Sequence, residues 1–86
     1  MPQNRNFLYL RLYSELKQAI DSGRLRPGQR IAPEHELMRQ YAVSRDTVRR
    51  ALAKLENEGY LKRKAAAGTF VRIEKADYGL SRMESF

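Results

Sequence analysis

V-S-R-D-T-V-R-R-A-L-A-K-L-E-N-E-G, residues 43–59, is the stretch whose reading decides the fold. Ser44 has the short side-chain oxygen that caps a helix start, and Val43 and Val48 stand at the spacing of a hydrophobic staple across that start. Val48, Ala51, Leu52 and Leu55 recur at i, i+3, i+4 and i+7, so a turn of about 100° per residue gathers them into one narrow stripe. Asp46, Arg49, Arg50 and Ala53 fall on the opposite side, and Arg45 flanks them near the N-terminal end. Solubility explains a polar outer face. It does not explain arginines gathered in the first two turns, which suit a helix laid against a polyanion.

The charge balance agrees. The 86 residues carry a net charge of +7, and residues 39–64 hold eight Lys/Arg against three Asp/Glu. Most of the excess thus lies in this helix and the segment after it, a concentration that suggests nucleic acid. Anionic membrane is the weaker alternative, because the basic helix turns no second apolar face outward. There is no Cys, which excludes disulfides and thiolate metal sites. The apolar runs are too short for a transmembrane helix or a signal peptide, so the cytoplasm is the expected compartment.

Working outward, Phe7 to Ser22 reads as a first helix with Leu8, Leu12, Leu16, Ala19 and Ile20 on one face, stopped by Gly23. Leu25-Arg26-Pro27-Gly28 is a turn, and Arg30-Ile31-Ala32 is expected to form one very short strand. Pro33 to Tyr41 reads as a second helix. Pro33 suits its first turn, Glu34 and Glu36 suit the positive end of its dipole, and Leu37, Met38 and Tyr41 face inward. Two short helices joined by a tight turn, the second one basic, make a helix-turn-helix. Tyr60–Lys64 and Thr69–Ile73 are β-like and are expected to form a hairpin around a four-residue loop, Ala65–Gly68. The expected fold is α+β, a winged helix-turn-helix of three helices and a small β-hairpin wing, over residues 1–74. Residues 75–86 read as a linker and the start of a further domain.

These segments resemble the N-terminal DNA-binding domain of the GntR family of bacterial transcription regulators. The likeness rests on L-Y-L-R-L at 8–12, S-G-R-L-R-P-G at 22–28, P-E-H-E-L at 33–37, V-S-R-D-T-V-R-R-A-L at 43–52, L-E-N-E-G-Y-L at 55–61 and G-T-F-V at 68–71. Residues 78–86 are similar to the opening of the UTRA effector domain of the HutC subgroup. The resemblance implies a ligand-responsive regulator, expected to act as a repressor in the bacterial cytoplasm, at the nucleoid. It also implies a two-fold dimer on a near-palindromic double-stranded operator. The dimer contacts and the small-molecule effector site would belong to the further domain, and this stretch alone would be monomeric or weakly dimeric.

Carried onto these residues, the family pattern makes Ser44, Arg45, Thr47 and Arg49 the main DNA contacts. Arginines one turn apart suit guanine O6 and N7, and the hydroxyls with the first-turn N–H groups suit phosphate. Asp46 and Arg50 share the outward face, and His35 falls where the family often carries Arg.

The chain departs from the family pattern in three places. Arg50 replaces a commonly acidic residue, and Ala32-Pro33 replaces the usual Pro-Ser, removing the side-chain cap of helix two. The wing tip is Ala65-Ala66-Ala67, without the close-approach glycine or a tip charge. The tip is therefore expected to be a weak specificity element. Backbone groups at Ala66, with Lys64 and Thr69 at the loop's base, would remain as contacts, and Lys62 and Arg63 as phosphate partners.

An enzyme is excluded by the lack of acid/base or nucleophile groupings, since Glu34 and Glu36, two apart, point to different helix faces. No cofactor or metal is implied. A winged helix used purely for protein contacts stays open. Duplex RNA is disfavoured because its narrow major groove does not admit a helix.

Overall fold

A computed structural model describes residues 3–73, and the expected linker and domain start at 75–86 lie outside the described residues. The elements run α1 (Gln3–Asp21), α2 (Glu34–Tyr41), α3 (Arg45–Asn57), β1 (Leu61–Lys64) and β2 (Gly68–Val71). This is the winged helix-turn-helix that the periodicities predict.

α3 is the central element, packing against α1, α2 and β1. Its Val48, Ala51, Leu52 and Leu55 are buried, as the stripe requires, together with Leu12 and Leu16 of α1, Leu37 of α2, Leu61 and Val71 of the hairpin, and Ile31. Ser44 caps α3 as expected, its Oγ accepting from the Thr47 backbone N–H at 3.1 Å. α1 begins at Gln3 rather than Phe7, because the polar residues before Phe7 carry no apolar periodicity to read. It ends as expected at Gly23, whose φ of +88° lets its N–H turn back to the Ile20 carbonyl at 3.2 Å.

The wing is tighter than its sequence suggests. The register pairs Leu61 with Val71, Lys62 with Phe70, Arg63 with Thr69 and Lys64 with Gly68, so the loop is Ala65–Ala67 and Gly68 joins the strand. Residues 28–31 run along the outer edge of β2. Ile31 N–H donates to Thr69 O at 2.9 Å, Val71 N–H donates to Gln29 O at 2.9 Å, and Arg30 bridges Phe70. The short strand expected at residues 30–32 is thus a single bridge on the hairpin's edge.

A polar clasp joins the middle of α1 to the C-terminal end of α3. The Tyr13 hydroxyl donates to the Glu58 carboxylate, Lys54 reaches the same carboxylate at 3.2 Å, and the Lys54 ammonium lies 5.0 Å from the Tyr13 ring centre. The Glu58 hydrogen bond holds the Tyr13 proton, raising its pKa from 10.0 to about 12, and the same bond lowers the pKa of Glu58. The Tyr13 contribution is complete below pH 10, where the unfolded phenol is also protonated, and is lost as pH rises toward 12. Tyr13→Phe should lower the melting temperature at pH 8 by about 2–5 °C. The gap to wild type should narrow above pH 10, as calorimetric melts across pH would show.

Two alanines occupy the left-handed region, Ala42 after α2 (φ 56°) and Ala66 at the wing tip (φ 64°). The tip therefore adopts with alanine a conformation that glycine takes freely. Left-handed backbone costs an L residue about 1–2 kcal/mol, part of which glycine returns as chain entropy. Ala66→Gly should stabilise the fold by about 0.5 kcal/mol in urea titration.

Candidate nucleic-acid interface

Burial of the α3 stripe leaves Arg45, Asp46, Arg49 and Arg50 exposed along one side of the helix. Arg45 and Arg49 stand together, and a single carboxylate joins them. Arg49 Nε donates to Glu34 Oε1 at 3.2 Å and Oε2 at 3.1 Å, and Arg45 Nε lies 3.9 Å from Oε1. Sequence reading gave Glu34 only to the α2 dipole. Its second role depends on α2 and α3 crossing, which no local spacing reveals. Both guanidiniums remain more than half exposed, with side-chain accessibilities of 53% and 58%. The pairing therefore orients them without removing them from solvent, and such pairs are worth about 0–1 kcal/mol.

Arg50 points elsewhere. Its guanidinium carbon lies 4.5 Å from the centre of the Tyr9 ring, a cation–π contact that ties the middle of α3 to α1. Thr47 also differs from a simple surface contact: it is buried, and its Oγ1 accepts from Ser44 Oγ at 3.0 Å. Its hydroxyl thus braces the cap, while Ser44 stays exposed beside it.

Between α2, α3 and the wing lies an open cleft of about 400 Å³, lined among others by His35, Arg45, Lys64, Ala66 and Thr69. Five residues singled out from the sequence, on three separate segments, thus meet around one space. Pro33, on the same rim, starts α2 with no side-chain cap bond, as the loss of the usual serine predicts. Arg63 also lines the cleft but lies 4.0 Å from Glu56 of α3, so one acidic side chain offsets it. The Lys64 ammonium sits 5.0 Å from the Phe70 ring centre. Arg30, not anticipated from the sequence, enters through the bridge to β2. Among the described residues no cluster of three His, Asp or Glu is placed to hold a metal ion.

The pattern described as bacterial regulatory proteins, gntR family, matches residues 8–71. The chain belongs to this family. It is 46% identical over 67 residues to the arabinose metabolism transcriptional repressor of Geobacillus stearothermophilus, covering 78% of this chain and 18% of that protein. The histidine utilization repressor of Klebsiella aerogenes is 43% identical over 77 residues, 85% of this chain and 32% of that protein. The chain thus spans less than a third of the length of either relative. Among solved structures, the AraR DNA-binding domain in complex with operator ORX1 superposes with a TM-score of 0.73 at 39% identity, covering 74% of this chain and 77% of that one. The winged fold is shared with these family members. No described helix is long and apolar enough to cross a membrane.

The Glu34 clamp is testable without any ligand. In wild type the Arg49 Nε–H should exchange with solvent up to about fivefold more slowly than in Glu34→Gln, the protection that an exposed pair worth about 0–1 kcal/mol gives. The stability change should be about 0.5 kcal/mol or less, as for an exposed ion pair.

Proposed function

We propose that the chain is the sequence-specific DNA-binding domain of a ligand-responsive bacterial transcription regulator that represses by occupying its operator. The observation that carries this reading is the α3 surface, with Arg45 and Arg49 oriented side by side over a buried apolar stripe. Two guanidinium forks one turn apart suit base edges in the major groove, chiefly guanine O6 and N7. The relatives named as repressors and the related domain solved on operator DNA support the same assignment.

In the proposed complex α3 lies in the major groove. Ser44 and the first-turn N–H groups take phosphate, with Asp46 and His35 on the flanks. Arg50 reaches the backbone by leaving or sliding on Tyr9, and Thr47 acts through the cap. Lys64, Thr69 and the Ala66 backbone supply the wing's part. The larger protein is proposed to be a HutC-type dimer on a near-palindromic site, working in the cytoplasm. Its effector domain, opening near residues 75–86, would respond to a small molecule. The similarity of residues 78–86 to UTRA openings and the histidine utilization relative support that subgroup.

The test is selection of duplexes bound by the chain from a random library, followed by titration across salt. A recovered consensus is expected, with log K falling against log salt at a slope of about −4 to −5 per domain. Arg49→Ala should cost about 1–3 kcal/mol on that consensus and much less on scrambled duplex. No enrichment together with a flat salt response would leave the winged fold serving a protein partner instead.

A further inference from the structure

Another cleft opens against the segment 30–32, between the C-terminal half of α1, the turn that follows it and α2. Its volume is about 520 Å³, larger than that of the cleft beside Arg45. Ile31 and Ala32 line both spaces, so this short segment is the partition between them. The buried side chains of Leu16, Ala19, Ile31 and Leu37, with the half-buried Leu25, give the cleft an apolar floor, and its rim is polar. Small-molecule sites of about 300–1,000 Å³ combine such a floor with a few polar groups at fixed places.

The walls are held in place by backbone bonds. Leu25 N–H donates to Ala19 O at 2.9 Å, closing the turn onto the end of α1, and Gly28 N–H donates to Val71 O at 2.8 Å, fixing the turn to β2. Within the turn, Gln29 Oε1 accepts from Arg26 N–H at 2.9 Å, which leaves the Gln29 amide NH2 as a donor on the rim. Glu15, the one acid among the described lining residues, is already engaged by Arg11 Nε at 3.2 Å. Burial raises the Tyr41 pKa above its ordinary 10.0, Glu15 adds to the rise and Arg24 opposes it, so these three side chains stand close together at the mouth. Among the described residues no carboxylate pairs with Arg24. Arg30 also lines the cleft, but its Nε lies 2.6 Å from where a Cβ on Gly68 of the wing would stand. Arg24 is therefore the cation left to meet a ligand.

We propose that this cleft binds a small organic carboxylate, its charged end on the Arg24 guanidinium and its apolar body over Leu16, Leu25 and Ile31. The guanidinium fork matches a carboxylate with two parallel hydrogen bonds, and the Gln29 amide adds a donor beside it. The rim's own acid does not repel the ligand strongly, because Arg11 offsets it. A wholly apolar ligand would leave these donors unused, and a bare inorganic ion would leave the floor unused. The site stands independently of the DNA-binding reading. Its occupant rests against the Ile31–Ala32 partition that also bounds the cleft beside Arg45.

The experiment titrates the isotope-labelled chain with hydrocinnamate and follows its backbone NMR signals. Saturable shifts are expected around the cleft, at Ala19, Leu25 and Ile31. Hydrocinnamide, which keeps the ring but lacks the charge, and acetate, which lacks the apolar body, should each bind at least about fivefold more weakly. Arg24→Gln should weaken hydrocinnamate binding about fivefold, as loss of an exposed charge pair does. Arg26→Gln removes an exposed cation of the same turn that does not line the cleft, and should leave the affinity within about twofold. Thermal melts check that both variants are folded, and the comparison of acid, amide and acetate needs no variant. Shifts that grow without saturating, or that saturate only elsewhere on the domain, overturn the proposal. So do equal binding of acid and amide, or equal losses from the two arginine substitutions.

Discussion

With 86 residues the chain has little apolar surface to bury, and α3 concentrates that burial on one line of side chains. Val48, Ala51 and Leu55 are wholly enclosed and Leu52 nearly so, and α1, α2 and β1 each close a part of the same line. A helix buried on one stripe cannot rotate about its axis without exposing that stripe, so the azimuth of every outward residue is fixed by the inward ones. The exposure of Arg45 and Arg49 is therefore a packing result before it is a functional one. Ser44 fixes where the helix begins, and its bond to the buried Thr47 side chain ties that start to the core.

Whatever depends on periodicity or caps was legible in the sequence. The α3 stripe, the Ser44 cap, the Gly23 stop and the hairpin are local patterns, and each is found at or within a few residues of the expected place. What depends on two segments crossing was not. The Glu34 clamp joins residues fifteen apart through the angle between α2 and α3, and the Tyr13–Glu58 bond spans forty-five. The left-handed Ala42 and Ala66 were missed for a different reason. Glycine normally marks such turns, and here alanine takes the same conformation.

The clamp bears on how the proposed interface is maintained in the absence of DNA. Two long arginine side chains on a surface helix sample many rotamers, and fixing them on a ligand costs entropy. Glu34 restricts both in advance at the expense of their net charge, because one carboxylate offsets part of two guanidiniums. The pair is exposed and weak enough to yield to a base edge. The balance therefore favours a partner that offers well-placed acceptors over one that offers only negative potential, which is the difference between an operator and any other duplex.

Two of the three departures from the family pattern, at the wing tip and at Arg50, share one direction. An alanine tip gives up side-chain chemistry at the end of the wing, while the wing's outer face keeps exposed Arg30, Lys62 and Lys64. Gly68, retained next to that tip, is used from within the domain, since the space a side chain would take is filled by Arg30. Arg50, in place of a commonly acidic residue, meets Tyr9 of α1 and adds positive charge beside the recognition face while staying exposed. Both leave the cationic chemistry on regular elements anchored in the core and not at a loop end. A cation on a paired strand or a packed helix loses less freedom when it meets a phosphate than one at a loop tip. On this footing an alanine tip is compatible with a basic wing, because the charge sits along its length.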